Sequence, residues 1–371
     1  VGLAGMAVLL WPDLRSADEA KAFAQKTDAE LKRLLVRSST AEWMNSTHIT
    51  DDTERNAASM NEDQMAFLST AIKESLKFKG QKIDEETARM LYLLRVLQPL
   101  PAPADPKKRA ELAALAAKLE GMYGKAKSCQ KQKDGSEKCQ TLQDLSAELA
   151  KGGSYDRQLD AWTRWHNTSA EMRPLYERLV QLSNEGAREV DAANLGELWR
   201  SAYDMSPADF EAEADRLWGQ LRPLYEDLHC YVRQHLAEKY ASHGVVAKGP
   251  IAAHLLGNMW AQDWSNIFPL VEPYKGQPSL DVTKQLKAQK FDPLRLVRLG
   301  ESFFTSMGLD PLPASFWERS QFTKPRDRDV VCHASAWDVT YSNDLRIKMC
   351  IKIDEEDLIT VHQSSVTTTT S

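Results

Sequence analysis

The sequence predicts a mostly helical fold with a small β-hairpin late in the chain, and two observations support this prediction. Apolar residues recur at three- and four-residue steps through most of the 371 positions, which is the period of an amphipathic helix. One late passage, residues 329–354, is instead rich in β-branched and aromatic residues on both sides of "YSND", a turn composition. With 42% hydrophobic and 27% charged residues, the chain can bury a large core and is predicted to be globular.

The longest predicted helix begins at Ser206-Pro207 and ends before His243-Gly244. A serine followed by a proline is a typical helix start, and Pro223 is expected to kink the helix at most. Its apolar stripe consists of Phe210, Leu217, Leu221, Leu224, Leu228, Tyr231, Val232 and Leu236. Three earlier segments show the same period, at residues 19–43, 62–78 and 84–97, and the Pro-rich stretch "QPLPAPADP" follows them as a break between helices. The N-terminal two thirds therefore read as an all-helical array.

Four of the five cysteines flank hairpin-like stretches. Cys129 and Cys139 enclose a short polar Asp-Gly loop, predicted to be a hairpin or lid that a disulfide could staple. Cys332 and Cys350 lie at similar distances from the late turn, so their side chains could meet across two strands. Cys230 is predicted to be a small buried hydrophobe. Because no Cys-x-x-Cys or Cys/His cluster with zinc spacing occurs, metal binding through thiolates is not expected.

Charge and hydropathy exclude some partners and suggest a compartment. The formal net charge is -6 with scattered Lys and Arg, so the basic stripe that nucleic-acid binding needs is missing. No apolar run is long enough to span a membrane. The longest, "VGLAGMAVLLW", is interpreted either as part of a signal-peptide remnant over residues 1–18 or as an ordinary first helix. Export to the periplasm or the medium would also explain the cysteines.

Two stretches combine residues that could carry chemistry. Residues 249–268, "GPIAAHLLGNMWAQDWSNIF", place a histidine, two tryptophans and several amides on a segment expected to be buried. Such density indicates either a polar network that fixes the core or the floor of a cleft, and the residues alone leave both open. His333 in "CHASAW" is predicted at the start of a strand, as a structural histidine or a functional one. No Gly-rich phosphate loop, nucleophile elbow or His-Glu-x-x-His occurs.

These two stretches resemble the longest signature sequences of the angiotensin-converting-enzyme family of zinc peptidyl-dipeptidases. "SPADFEAEADRLWGQLRPLYEDLHCYVRQHL" resembles the long helix that precedes them, and the similarity extends from about Glu19 to His362. The resemblance implies a mostly helical ellipsoid split by a deep channel. It also implies a zinc-dependent enzyme that releases dipeptides from peptide C-termini and is exported or anchored to a membrane.

The resemblance assigns roles to individual positions. Gln262 matches the glutamine that binds the C-terminal carboxylate of the substrate, and His333 matches the histidine that hydrogen-bonds the substrate backbone. Ala334, just after it on the predicted strand, could pair edge-on with an extended peptide. Tyr203 matches a tyrosine at one family chloride site. At the other chloride site His166 replaces the family arginine, which argues against chloride activation.

The end of the chain departs from the family. After "EEDLITVH" the family continues His-His-Glu-x-Gly-His, which supplies two zinc ligands and the general base from one helical face. Here Gln363 takes the place of the first zinc ligand, Ser364 that of the catalytic glutamate, and Val366 and Thr367 follow where Gly-His is expected. Neither zinc binding nor catalysis by this chain is therefore expected. Four consecutive threonines from Thr367 also predict that the last helix stops early.

A one-base shift in the coding sequence would explain this tail. With permitted codons for residues 362–371 and one inserted base, the other frame reads His-His-Glu-Leu-Gly-His-Asn-Tyr-Tyr-Gln. We therefore expect residues 19–362 to be the N-terminal part of a catalytic domain and residues 363–371 to be an aberrant tail, the alternative being a natural disordered tail. The functional alternatives are an inactive part of a zinc peptidyl-dipeptidase and a non-catalytic peptide- or protein-binding pseudoenzyme. With half of a shared core missing, we expect a poorly soluble or partly molten fragment.

Overall fold

The computed structural model describes residues 11–96, 98–277 and 280–369, without the side chains of residues 11–16 and 365–369. Within these ranges the fold is mostly helical with two small antiparallel hairpins, so the predicted fold class is confirmed. The helices are α1 (Trp11–Thr47), α2 (Asp51–Ser75), α3 (Glu85–Val96), α4 (Pro106–Lys125), α5 (Leu142–Lys151), α6 (Tyr155–Asn167), α7 (Met172–Arg188), α8 (Leu195–Arg200), α9 (Pro207–Lys239), α10 (Phe268–Val271), α11 (Val282–Ala288), α12 (Pro293–Ser306), α13 (Ala314–Arg319) and α14 (Glu355–Thr369). The strands are β1 (Ser128–Lys131), β2 (Glu137–Gln140), β3 (Ser335–Asp338) and β4 (Leu345–Lys348).

The chain divides into two compact units. Of the described residues, the first comprises those within 11–125, 175–204 and 281–369, and the second comprises those within 126–174 and 205–280. Of the possible signal-peptide remnant, residues 1–10 lie outside the described part, and residues 11–18 belong to the start of α1.

In the first unit, α1 packs against α2 and α2 packs against α4. Small buried side chains, Ala41, Ala57 and Ala117, let these three helices approach closely. The turn between α1 and α2 is fixed by a capping box, in which Thr50 and Thr53 each bind the other's backbone N–H. These helices form one wall of the cavity described below.

The late hairpin lies on a second core of the same unit. Strand β3 pairs antiparallel with β4, with Ser335 opposite Lys348 and Asp338 opposite Leu345. The other edge of β4 is occupied, since the N–H of Gln321 donates to Ile347 at 2.9 Å and the N–H of Met349 donates to Gln321 at 2.8 Å. Buried residues of α11 to α14 surround this hairpin: Leu286, Leu296, Val297, Phe316 and Val361. The predicted hairpin and its "YSND" turn are therefore present.

The last helix runs further than the sequence predicts. Asp354 accepts the N–H of Asp357 at 2.9 Å, so the expected N-terminal cap is present. The backbone is helical to Thr369, however, and does not stop at the threonines. Valine and threonine lower helix propensity by only tenths of a kcal/mol, roughly, so packing of the first two turns on the core can outweigh them. Of the predicted aberrant tail, residues 370 and 371 lie outside the described part.

In the second unit, α9 begins as predicted, with the Ser206 hydroxyl accepting the N–H of Asp209 at 3.1 Å. Only its C-terminal turns are covered, and Val232 and Leu236 are buried there together with Tyr240. Every residue from 214 to 228 is exposed. Cys230 is half-buried and has a free thiol, so the prediction that it is buried is wrong.

Both expected cysteine pairs are disulfides. Cys129 and Cys139 join β1 to β2, where they are directly opposite each other. Because this hairpin lies in the N-terminal two thirds of the chain, the prediction of an all-helical array there is wrong. Cys332 and Cys350 form the second disulfide, at the open end of the β3–β4 hairpin.

Candidate functional site

The loop around Gln262 lies in the second unit and combines a buried network with an exposed amide. Gln158 donates to the carbonyl of His254 at 3.2 Å and accepts the Tyr240 hydroxyl at 2.9 Å. Burial lowers the pKa of His254, whose buried Nε2 has no hydrogen-bond partner among the described residues. This part of the stretch is therefore a network that fixes the core, the first of the two alternatives.

Gln262 itself is exposed at the end of that stretch. The preceding residue, Ala261, has a φ of 55°, a strained conformation for a residue with a Cβ. Hydrogen bonds hold this turn, because the N–H of Ala261 donates to Asn258 at 3.1 Å and the Trp264 indole donates to Ala261 at 2.9 Å. Strain retained in this way is common at binding sites.

His333 and Ala334 lie in the first unit, just before strand β3 rather than on it. His333 is exposed, and its carbonyl accepts the ammonium of Lys348 at 3.0 Å. The same ammonium donates to Val331 at 2.8 Å. Burial lowers the pKa of Lys348 to about 8, against the opposing effect of the Glu120 carboxylate. Lys348 thus fixes the backbone that carries His333.

Strand β3 has β4 as its one strand neighbour among the described strands, so its outer edge is not paired by a strand. Three of its residues, Ala336, Trp337 and Asp338, line a cavity of about 770 Å³. Trp337 is held by an edge-on contact with Trp43 and by donation to the Ser335 hydroxyl at 2.8 Å. A strand edge beside a cavity is a suitable arrangement for binding an extended peptide.

The other walls of this cavity come from α1, α2 and α4, and we call it the acidic cavity. Glu42 on α1 accepts the side-chain amide of Asn61 at 2.9 Å, and Glu120 on α4 accepts the Ser46 hydroxyl at 2.6 Å. Burial raises the pKa of Glu42, which Asn61 opposes and the Glu120 carboxylate reinforces. No Lys, Arg or His is found among the described residues that line it.

Tyr341 lies in the β3–β4 turn and lines the same cavity. Its φ of 51° is unusual for a bulky residue. The carboxylate of Asp338 holds the turn by accepting the N–H groups of Asn343 at 3.0 Å and Asp344 at 3.1 Å. Burial raises the pKa of Tyr341, and the Glu42 and Asp338 carboxylates raise it further.

Sequence reasoning missed this cavity. A usable signal was present in α1, where the buried stripe Leu34, Ser38, Ala41 and Asn45 carries two polar residues. Polar residues on an otherwise apolar helix face predict either a buried network or a binding cavity. They could not indicate which strand closes the cavity, because β3 is about 300 residues further along the chain.

The structure shows the surroundings of Tyr203, the family chloride position, and of His166, which replaces the family arginine. Tyr203 is exposed just after α8 in the first unit, and its N–H donates to Arg200 at 3.3 Å. His166, in the second unit, stacks on Trp162 with 4.0 Å between ring centroids and contacts its carbonyl at 2.8 Å.

The described residues hold one group of three His, Cys, Asp or Glu side chains close enough to share a metal ion. It consists of Cys129, Glu137 and Cys139. Because its two sulfurs form a disulfide, they offer no thiolate ligands. In α14, His362 lies between Leu358, whose carbonyl is 2.7 Å from Nδ1, and the ring of Phe303, with 5.5 Å between centroids.

The amino-acid sequence is similar to that of known proteins. A family model described as angiotensin-converting enzyme matches residues 14–369. The chain belongs to the angiotensin-converting-enzyme family. It is 38% identical over 367 residues to the angiotensin-converting enzyme of Oryctolagus cuniculus, covering 95% of this chain and 27% of that protein. The enzyme of Theromyzon tessulatum is 35% identical over 352 residues, covering 94% of this chain and 57% of the relative.

The chain therefore spans about a quarter of the mammalian angiotensin-converting enzymes that it matches and 57% of the Theromyzon tessulatum protein. Its membership in the angiotensin-converting-enzyme family agrees with the mostly helical fold. None of the described helices is long and apolar enough to cross a membrane.

Proposed function

We propose that this chain is the N-terminal, peptide-binding part of a zinc peptidyl-dipeptidase. We also propose that, with this amino-acid sequence, it does not hydrolyse peptides. The observation that carries this proposal is the sequence of α14. Gln363, Ser364 and Thr367 stand where the family resemblance places the first zinc ligand, the general base and the second ligand. Amide and hydroxyl side chains cannot replace two imidazoles and a carboxylate at a zinc site. The residues present at these positions do not fit zinc.

The backbone at these positions is helical, as a zinc motif of this family type requires. Positions 363 and 367 are four residues apart on α14, which continues to Thr369. Two histidines at this spacing share one helix face and can bind one metal ion. The backbone therefore suits a zinc motif that its side chains do not supply.

Sequencing the gene across the codons for residues 361–371 and beyond tests whether a one-base shift is the origin of these residues. An additional base that restores His-His-Glu-Leu-Gly-His would establish that the tail is an error. A confirmed tail followed by a stop codon would refute the shift and leave the second candidate, a peptide-binding pseudoenzyme. That candidate is favoured by the unpaired outer edge of β3 beside the acidic cavity.

A zinc-binding measurement tests the side chains directly. The restored variant carries Gln363→His, Ser364→Glu, Ser365→Leu, Val366→Gly and Thr367→His. A matched control carries histidines at 363 and 365, which point to different sides of a helix. In equilibrium dialysis we expect at least tenfold tighter zinc binding by the restored variant than by the control or the unmodified chain. Equal binding by the unmodified chain would contradict the proposal.

Peptide binding is proposed to use Gln262 for the terminal carboxylate, and His333 with Ala334 for the substrate backbone. The exposure of Gln262 and His333 supports these roles. Replacing Gln262 by Glu should weaken binding of a peptide with a free C-terminus about tenfold, because two carboxylates repel. The same peptide with a C-terminal amide should be almost unaffected, and an equal loss for both would contradict the assignment.

We also propose that the protein is exported. The two disulfides support this, since such bonds persist in oxidising compartments. Fractionation of the native host would place it in the periplasm or the medium.

A further inference from the structure

The described residues that line the acidic cavity include carboxylates but no Lys, Arg or His. Glu42 and Glu120 line it, and each accepts a hydrogen bond from a neutral side chain, Asn61 or Ser46, rather than from a cation. Lys348 acts electrostatically on Glu120, but its ammonium donates to the carbonyls of Val331 and His333. A carboxylate partly removed from water is costly unless it is protonated or paired, so a cationic ligand that keeps Glu42 and Glu120 ionised would be favoured.

A second observation points to a ligand in the same place. Ser39 lines the same cavity as these carboxylates, and the residue is 7% exposed. No hydrogen bond from its hydroxyl to a described residue is seen, so this oxygen is available to a group bound in the cavity. A bound donor or acceptor would satisfy it.

An apolar cavity of about 440 Å³ adjoins the acidic cavity, and the two share lining residues: Leu35, Gln64, Leu68, Pro99 and Tyr341. Its other walls come from α1 and α3 and include Leu31, Met90 and Leu94. An apolar side chain could enter it from a ligand that crosses the acidic cavity. The combination suits a peptide with a cationic group next to an apolar residue.

We propose that the acidic cavity selects peptides carrying a cationic group, which Glu42 and Glu120 recognise, and that the adjoining cavity takes a neighbouring apolar side chain. The inference rests on the proposed peptide-binding function and names the class of peptide. The cation can be a Lys or Arg side chain or an N-terminal ammonium, and both present N–H donors with positive charge. The apolar cavity contributes by removing a Leu-sized side chain from water.

Calorimetric titration of the full chain with four synthetic hexapeptides tests this. The peptides are Ala-Lys-Leu-Ala-Ala-Ala and Ala-Gln-Leu-Ala-Ala-Ala, each with a free or an acetylated N-terminus. We expect at least tenfold tighter binding of the acetylated Lys peptide than of the acetylated Gln peptide if a side chain is recognised. If the N-terminus is recognised, acetylation should produce the tenfold loss instead. Equal affinity for all four would overturn the proposal while leaving peptide binding intact.

Matched variants test whether Glu42 and Glu120 cause the preference for cationic peptides. Glu42→Gln and Glu120→Gln keep the hydrogen-bond acceptors for Asn61 and Ser46 and should each reduce the preference for the cation at least threefold. Glu74→Gln, at an exposed position of α2, should leave it unchanged. Ser39→Arg places a tethered guanidinium in the cavity with both carboxylates retained, and it should remove the preference. A preference that survives all three cavity variants would overturn the proposal.

A final measurement separates this inference from the proposed function. Nα-acetyl-argininamide and Nα-acetyl-glutaminamide are titrated while tryptophan fluorescence is followed, with Trp337→Phe to identify the responding ring. Binding of the arginine compound without binding of any hexapeptide would retain the cationic site and reject peptide binding. Failure of both the compound and the peptides would overturn both proposals.

Discussion

At the scale of single residues, burial determines the ionisation of Asp357 in the first turn of α14. Its carboxylate accepts the N–H of Lys352 at 2.5 Å. Its pKa is raised to about 6, chiefly by burial and also by the neighbouring Asp354 and Glu356 carboxylates, against the hydrogen bond from Lys352. The folded protein therefore binds this proton more tightly than the unfolded chain does.

We expect the pH dependence of stability to reveal this group. Because its pKa is raised above the unfolded value of 3.8, the stabilisation is complete below about pH 4 and is lost as the pH rises through 6. In the unmodified chain, this group should lower the free energy of unfolding by about 1–3 kcal/mol between pH 4.5 and pH 7. Asp357→Asn should remove that loss. Chemical denaturation at both pH values measures it, with the exposed Glu355→Gln as control. An unchanged pH dependence in Asp357→Asn would disprove the assignment.

The two Asn-x-Ser/Thr sequons also differ in burial. Asn45 is 1% exposed and accepts the Thr53 hydroxyl at 3.1 Å, whereas Asn167 is exposed at the end of α6. In a glycosylating host we expect the folded, secreted protein to carry a glycan at Asn167 and none at Asn45, since a glycan there cannot fit inside the core. Glycopeptide mass spectrometry checks this. A glycan on Asn45 in folded protein would mean that the α1–α2 packing is different.

At the scale of elements, the two disulfides have different surroundings. Cys332–Cys350 closes a hairpin that packs on the main core of the first unit, with a sequence separation of 18. Cys129–Cys139 closes an exposed hairpin with a separation of 10. An exposed two-stranded hairpin can open locally without unfolding the rest.

We expect this contrast in stability. Replacing Cys332 and Cys350 by Ser should lower the free energy of unfolding by about 3 kcal/mol, the loop-closure value for this separation. Replacing Cys129 and Cys139 by Ser should lower the free energy of unfolding by less than about 1 kcal/mol. Chemical denaturation of the two double variants compares them. The opposite order would show that the late hairpin is not tied to the core.

At the scale of the whole chain, the middle of α9 has an exposed apolar surface. Leu217, Leu221, Leu224 and Leu228 follow one another at steps of four, three and four, and Leu224 is 71% exposed. This spacing is that of a helix-packing seam. Apolar surface of this kind on an isolated protein promotes association.

We expect the purified chain to associate through this seam. Leu221→Lys with Leu224→Lys should raise the concentration at which it stays monomeric at least fivefold, as measured by analytical ultracentrifugation. Gln220→Lys with Gln234→Lys adds the same charge at exposed positions outside the seam and should have a much smaller effect. Equal improvement in both double variants would attribute the change to net charge alone.

Most of the helices, the late hairpin and the family could be predicted from the amino-acid sequence. Period, caps and turn residues act over a few positions, and the start of α9 at Ser206 and the "YSND" turn were predictable for that reason. The family resemblance likewise depends on local motifs and was confirmed by the comparisons. The proposed replacement of a zinc ligand by Gln363 and of the general base by Ser364 likewise comes from the sequence alone.

The acidic cavity, the burial of Asn45, and the exposure of Gln262 and of the middle of α9 depend on contacts between distant segments. Glu42, Glu120 and Trp337 are separated by 78 and 217 residues along the chain, and only the packing of α1, α4 and β3 brings them to one cavity. Local propensity carries no information on such contacts, because burial depends on which distant segments pack together. The continuation of α14 through the threonines is a further case in which packing outweighs a weak local preference.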